Sequence, residues 1–240
     1  IFAKQLAGLG DAYVNDAFGT AHRAHASTAI IADNFPSTKF FGLLMAKELE
    51  AIDKVLKSGD KPITAILGGS KVSSKITIIE NMLPAIDNLI IGGGMAFTFI
   101  RALGGDIGNS LVEVDKQTLA LEILQKAKVQ NVKVYLPVDS IIADDCNNEA
   151  ERKEVDIFEI PDGWMGLDAG VRSRKIFHDV IMNSRTILWN GPIGVFEMSN
   201  FADGTIALGE SIAKATRLGA FSLVGGGDSV AFVKQFGYDE

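Results

Sequence analysis

From Pro62 onward the chain repeats one kind of pattern: a short unbroken apolar run, a glycine-rich turn, then apolar residues at helical spacing. Ile63-Thr64-Ala65-Ile66-Leu67 runs into Gly68-Gly69 and predicts a helix from about Lys71. Leu89-Ile90-Ile91 runs into Gly92-Gly93-Gly94 and a helix carrying Phe97, Ile100 and Leu103. Thr186-Ile187-Leu188-Trp189 leads to Asn190-Gly191-Pro192, and Phe221-Ser222-Leu223-Val224 to Gly225-Gly226-Gly227-Asp228 and a further helix. A helix over roughly Asp115 to Val129 and a strand over Val132 to Leu136 lie between them. Strands that are apolar on both faces and alternate with helices predict an α/β fold, a parallel sheet covered by helices on both sides.

The region before Pro62 has a different pattern. Asp11 to Val14 is a short strand candidate that enters a polar stretch from Asn15 to Ser27. From Phe40 to Lys57, Met45, Leu49, Ile52 and Leu56 recur at helical spacing, Glu50 and Lys54 stand four apart, and Gly59 follows as a stop. This helix is expected to bridge two domains.

Composition narrows the picture. Glycine supplies 25 of 240 residues while proline supplies 6, with no triplet period, so glycine is expected at specific turns. A hydrophobic share of 47% with 22% charged excludes a disordered chain, and the length suffices for one large or two small domains. Net charge −7 argues against a nucleic-acid or anionic-membrane partner. The single Cys146 permits no internal disulfide, which fits a cytoplasmic protein. Neither an apolar run near 18 residues nor a signal peptide is evident. Ile1 is not a methionine and begins as if inside a helix, and the chain stops directly after a helical pattern, so an excerpt of a longer protein is expected.

Four strands thus end in Gly-rich or Asn-Gly turns. In an open parallel sheet, ligands bind beyond the carboxyl ends of the strands. Glycine admits close backbone approach, and a following helix adds its positive end, so a phosphate or nucleotide cleft is favoured. The ordinary P-loop pattern is missing, and Phe97 stands where a dinucleotide fingerprint needs its third glycine. Lys71 and Lys75, four apart beside a predicted helix N-terminus, oppose the helix dipole and each other unless an anion sits there. Two solvated lysines are the plainer alternative, against which the preceding Gly-Gly turn weighs. In His22-Arg23-Ala24-His25 a zinc site finds no third ligand nearby; Arg23 serves equally well as a loop residue or as a clamp for phosphate or carboxylate.

The segments Tyr13-Val14-Asn15-Asp16-Ala17-Phe18-Gly19-Thr20-Ala21-His22-Arg23-Ala24-His25, Gly68-Gly69-Ser70-Lys71-Val72, Gly92-Gly93-Gly94-Met95-Ala96, Leu188-Trp189-Asn190-Gly191-Pro192-Ile193-Gly194-Val195-Phe196-Glu197 and Gly225-Gly226-Gly227-Asp228-Ser229 resemble phosphoglycerate kinases, in order along essentially the whole chain. The resemblance implies reversible phosphoryl transfer between 1,3-bisphosphoglycerate and ADP, giving 3-phosphoglycerate and Mg-ATP, by a monomer with two Rossmann-like domains that close about a hinge. It implies that residues 1–39 are the remnant of a glycerate-binding domain, 40–58 the interdomain helix, and 59–240 an incomplete nucleotide-binding domain.

By the same resemblance, Arg23 belongs to the substrate-binding basic patch and Lys71 stabilises the phosphoryl group in flight. Lys75, Gly94, Gly166, Asn190, Glu197, Gly226, Gly227, Asp228 and Ser229 bind the nucleotide: Gly94 and Gly166 on the adenine side, Glu197 at the ribose, the others around the phosphates. Asp228 also assists Mg²⁺. Taken singly, Asp228 also reads as a helix N-cap, Glu197 as a solvated carboxylate and Asn190 as a turn residue. The family's N-terminal glycerate-binding motifs and C-terminal Gly-rich segment are missing from these 240 residues, as is the arginine that neutralises the transferred group. The chain alone is therefore expected to show little or no turnover. A non-catalytic nucleotide-binding module is the alternative, and a nicotinamide-dependent oxidoreductase a third idea.

Overall fold

The computed structural model describes residues 1–20 and 23–238, except the side chains of Lys54 and Leu56. His22, and the helical roles expected of the Lys54 and Leu56 side chains, lie outside that description. The chain divides into two compact units, Ile1–Lys54 and Val55–Glu240.

In the first unit, strand Tyr13–Asn15 pairs in parallel with Lys39–Phe41. The expected strand at Asp11 starts two residues later. Tyr13 stacks on Phe35 at 6.2 Å. The long helix spans Leu43–Leu56 rather than starting at Phe40, because Phe40 and Phe41 belong to the second strand. Asp16 fixes its start. The Oδ1 accepts the Met45 N–H at 2.8 Å, and a Cβ on Gly42 would come within 2.2 Å of the Asp16 carboxyl carbon.

The second unit is built on five parallel strands in the spatial order Phe221–Gly225, Thr186–Asn190, Ile63–Leu67, Asn88–Ile91, Lys133–Tyr135. Alternate side chains enter two cores. Ile63, Ala65, Leu67, Leu89 and Ile91 pack beneath the helices Ile76–Met82, Met95–Ala102 and Gln117–Val129. Ile66, Ile90, Ile187 and Trp189 pack beneath Val171–Met182, Asp203–Arg217 and Gly227–Phe236. Burial on both faces is why the three central strands carry no polar alternation, whereas Lys133 at the edge is exposed.

Register decides what this sheet can do. Leu67 pairs with Ile91 and with Asn190, and Asn190 pairs with Gly225, so four strands end flush at one edge. Chain direction of the order reverses between Ile63–Leu67 and Thr186–Asn190, the switch point where open α/β sheets place ligands.

Residues 139–169 depart from the expected alternation. Asp139–Ala143 pairs antiparallel with both Arg152–Asp156 and Met165–Ala169, making a second sheet. A further pair joins Asp106–Ile107 to Glu159–Ile160. Another correction concerns the helix expected from Lys71. It starts at Ile76, with Lys75 at its N-cap, so Lys71 and Lys75 share no helical face. Val72 is buried, Ser74 Oγ donates to the Lys71 carbonyl at 2.8 Å, and the backbone turns before it winds.

Candidate functional site

The four flush strand ends brace one another. Gly68 N–H donates to the Asn190 carbonyl and Gly69 N–H to the Pro192 carbonyl, each at 3.0 Å. A Cβ on Gly68 would lie 2.0 Å from the Pro192 oxygen, and one on Gly191, whose φ is +105°, 2.4 Å from the Gly68 oxygen. Only glycine permits this crossing of backbones. Ser229, fully buried, accepts the Gly191 N–H at 2.7 Å and ties the fourth turn to the third. Several glycines that suggest ligand contact in the sequence therefore serve the turns' own packing. Gly227 differs, since a Cβ there would meet nothing within 4 Å.

Over this floor lies a cleft of about 430 Å³. Gly94, Gly166, Glu197 and Asp228 all line it, as do Phe97 and Leu111. Gly166 is held by its N–H on Ser110 Oγ at 2.9 Å, and a Cβ would come within 2.1 Å of Phe97 Cζ. Leu111 is apolar yet 61% exposed, an arrangement that suits the face of a flat apolar ligand. No sequence periodicity marks it, because it sits in a loop.

Lys75 lies where the turns converge. Its half-buried ammonium donates to Asn190 Oδ1. Burial pushes the Lys75 ammonium below the usual lysine range, and the nearby Asp228 charge opposes that shift in part. An anion arriving here would favour the charged form and oppose that shift. Asn190 closes the 186–190 strand, and its Oδ1 stands 3.1 Å from where a Cβ on Gly226 would be. Gly226, at φ +86°, opens the ten-residue helix Gly227–Phe236, which carries Asp228 in its first turn. Ser229 is fully buried, its hydroxyl taken up by the Gly191 N–H, so it braces the turn from beneath. Lys71 is exposed in the turn before Lys75. Arg23 belongs to the first unit, exposed in a bend where Thr28 Oγ1 donates to its carbonyl at 3.2 Å.

Two buried carboxylates in the cleft wall escape sequence reasoning. Asp139 caps the helix Val171–Met182, accepting N–H groups of Arg172 and Ser173 at 2.8 and 2.9 Å. Burial pushes its carboxyl upward, but the Ser173 hydroxyl and those N–H groups outweigh this and hold it below the carboxylate range. Asp168 accepts from Gly204 N–H at 2.7 Å, Ala169 N–H at 2.8 Å and Arg174 at 3.3 Å. There burial prevails, and the carboxyl is pushed up to about 7. Gly194 and Gly204 are glycines because a Cβ on either would lie 2.1 Å from Asp168 Oδ1.

Among the described residues no group of three or more His, Cys, Asp or Glu side chains stands together as a metal cage. Asp228, like Glu197, is an exposed carboxylate on the cleft, and it lies in the first turn of the helix Gly227–Phe236. Such a donor suits Mg²⁺, which retains waters and takes most other ligands from substrate phosphates. No helix among the described residues is long and apolar enough to cross a membrane.

Comparison with known proteins gives one family. The Phosphoglycerate kinase family model matches residues 1–240. A phosphoglycerate kinase of Porphyromonas gingivalis is 57% identical over 237 residues, covering 98% of this chain and 57% of that protein. The solved phosphoglycerate kinase of Coxiella burnetii is 42% identical with a TM-score of 0.88, over 98% of this chain and 60% of that one. That of Pyrococcus horikoshii is 32% identical with a TM-score of 0.80, over 97% and 58%. The chain thus spans 57% of the length of its curated relative.

Proposed function

Since the chain belongs to the phosphoglycerate kinase family, we propose that its second unit holds ADP or ATP for reversible phosphoryl transfer with 1,3-bisphosphoglycerate and 3-phosphoglycerate. Residues 59–240 serve as the nucleotide domain, 40–58 as the interdomain helix, and 1–39 as part of the glycerate domain, with Arg23 in the substrate patch. Closure about a hinge brings the two ligands together and excludes water. The working protein is a cytoplasmic monomer.

The base lies between Leu111 and the walls at Gly94, Phe97 and Gly166, and Glu197 accepts hydrogen bonds from the ribose hydroxyls. Lys75, Asn190 and the first-turn N–H groups of Gly227 and Asp228 hold the phosphates, with Gly226 opening the turn and Ser229 bracing it. Lys71 is the mobile cation that follows the phosphoryl group, for which a lysine's point charge suffices. Asp228 would hold Mg²⁺, which would supply charge neutralisation at the phosphates. The chemistry requires positioning and charge stabilisation, so no protein nucleophile is invoked.

One observation carries this reading: Lys75, its proton affinity lowered by burial, donates to Asn190 close to Asp228, which lines the apolar-walled cleft above the glycine turns. Calorimetric titration with ADP and Mg²⁺ tests it. Saturable binding is expected, weakened by about ten- to a hundredfold in Lys75→Met. A wild-type chain without saturable ADP binding overturns it.

A further inference from the structure

The turn carrying the two lysines is set from outside its own segment. The helix Ile76–Met82 that follows has no side-chain N-cap. Within the turn, Lys75 N–H bonds the Val72 carbonyl at 2.8 Å, which closes the bend but does not orient it on the sheet. Orientation comes from Val72, buried in the core, and from Ser73, held by a residue forty positions later. The Glu113 carboxylate accepts the Ser73 N–H at 2.9 Å and the Ser73 hydroxyl through its other oxygen. Burial pushes the Glu113 carboxyl upward, but the Ser73 hydroxyl and N–H outweigh it and keep the acid below its usual range.

Glu113 is itself anchored. Its N–H donates at 3.1 Å to Thr98 Oγ1, a buried side chain of the helix Met95–Ala102. Two residues earlier, Leu111 lines the cleft, its Cδ1 3.0 Å from where a Cβ on Gly94 would stand. Segment 111–113 therefore touches the apolar wall with one side chain and the lysine turn with another.

We propose that Glu113 is a positioning residue for phosphate binding: its carboxylate grips Ser73 midway between Lys71 and Lys75, and so sets both ammonium groups relative to the wall formed by Leu111. The inference rests on the nucleotide reading of the cleft. Ser73 is two residues from each lysine, so a displacement there moves both. Charge-assisted bonds from one carboxylate to a backbone N–H and a hydroxyl are strong enough to select one orientation of a short exposed turn. Glu113 touches no reacting atom and acts through the backbone.

The test compares ADP with adenosine, which offers the base and ribose but no phosphate. The full 240-residue chain and the variants Glu113→Ala, Ser73→Ala and the double variant are titrated with each, in the presence of Mg²⁺. Expected is a loss of about tenfold in ADP affinity for Glu113→Ala, adenosine affinity within about twofold of wild type, and a double variant no weaker than the worse single. Equal loss for ADP and adenosine would make Glu113 a general structural residue and overturn the proposal. So would unchanged ADP affinity in Glu113→Ala, or additive losses in the double variant. Wild-type chain that binds neither ligand would refute the nucleotide reading itself, an outcome distinct from binding that the variants leave untouched.

Discussion

Asp168 offers a quantitative test of how the cleft wall is held. The residue is 4% exposed, so solvent screening weakens its interactions little. Burial moves it from the ordinary 3.8 to about 7, against the opposing pull of the Gly204 N–H and Arg174. The fold therefore favours the protonated form. The stabilisation this gives is complete below about pH 3.8 and is lost as the pH rises through about 7. Over that whole window it amounts to about 4 kcal/mol, of which about 3 kcal/mol falls above pH 5. Asn at this position keeps the shape and cannot titrate, while Arg174 retains Asp203 at 3.3 Å. Urea unfolding of wild type and Asp168→Asn, followed by tryptophan fluorescence, to which Trp189 buried in the five-stranded sheet contributes, reads the difference at each pH. Wild-type stability relative to the variant should fall by about 3 kcal/mol between about pH 5 and about pH 8. A difference that stays flat, or that grows with pH, would show that the hydrogen bonds outweigh burial and refute the reasoning.

Other consequences are equally direct. Gly166→Ala drives a methyl group into Phe97 and should weaken ADP binding, whereas Gly166→Ala with Phe97→Leu should recover part of it; calorimetry reads both. Asp228→Asn should abolish most of the Mg²⁺ dependence of ADP affinity while leaving metal-free binding equal or stronger, because a negative charge beside the phosphates is gone. Ser229→Ala leaves the buried Gly191 N–H without its acceptor and should lower unfolding stability by about 1–3 kcal/mol in urea titration.

How much of this was legible beforehand follows from what each residue answers to. The central parallel strands were readable because burial on both faces forces unbroken apolar runs, and Ile63–Leu67 appears with the expected limits. Their spatial order was not readable, since every pairing is long range. Strand Arg152–Asp156 offers no apolar run to read, because its first three residues are exposed. The early helix at Lys71 failed for a related reason: Glu113, remote in sequence, fixes a turn where local spacing suggested winding. Gly94, Gly166, Glu197 and Asp228 were named by family resemblance and do line one cleft, whereas Asp139 and Asp168 went unnoticed. A carboxylate that holds backbone inside a wall leaves no spacing signature.

The order of strands in the sheet also bears on how the chain is made. Ile63–Leu67 is the earliest of the five to leave the ribosome, yet it ends at the centre, between Asn88–Ile91 and Thr186–Asn190. One edge can be covered almost at once. The other waits for a partner about 120 residues later, roughly ten seconds at ordinary synthesis rates. During that interval an apolar strand offers its unpaired N–H and carbonyl groups to any passing chain. The nascent protein is most exposed to misassembly at the strand that later becomes its best-buried one.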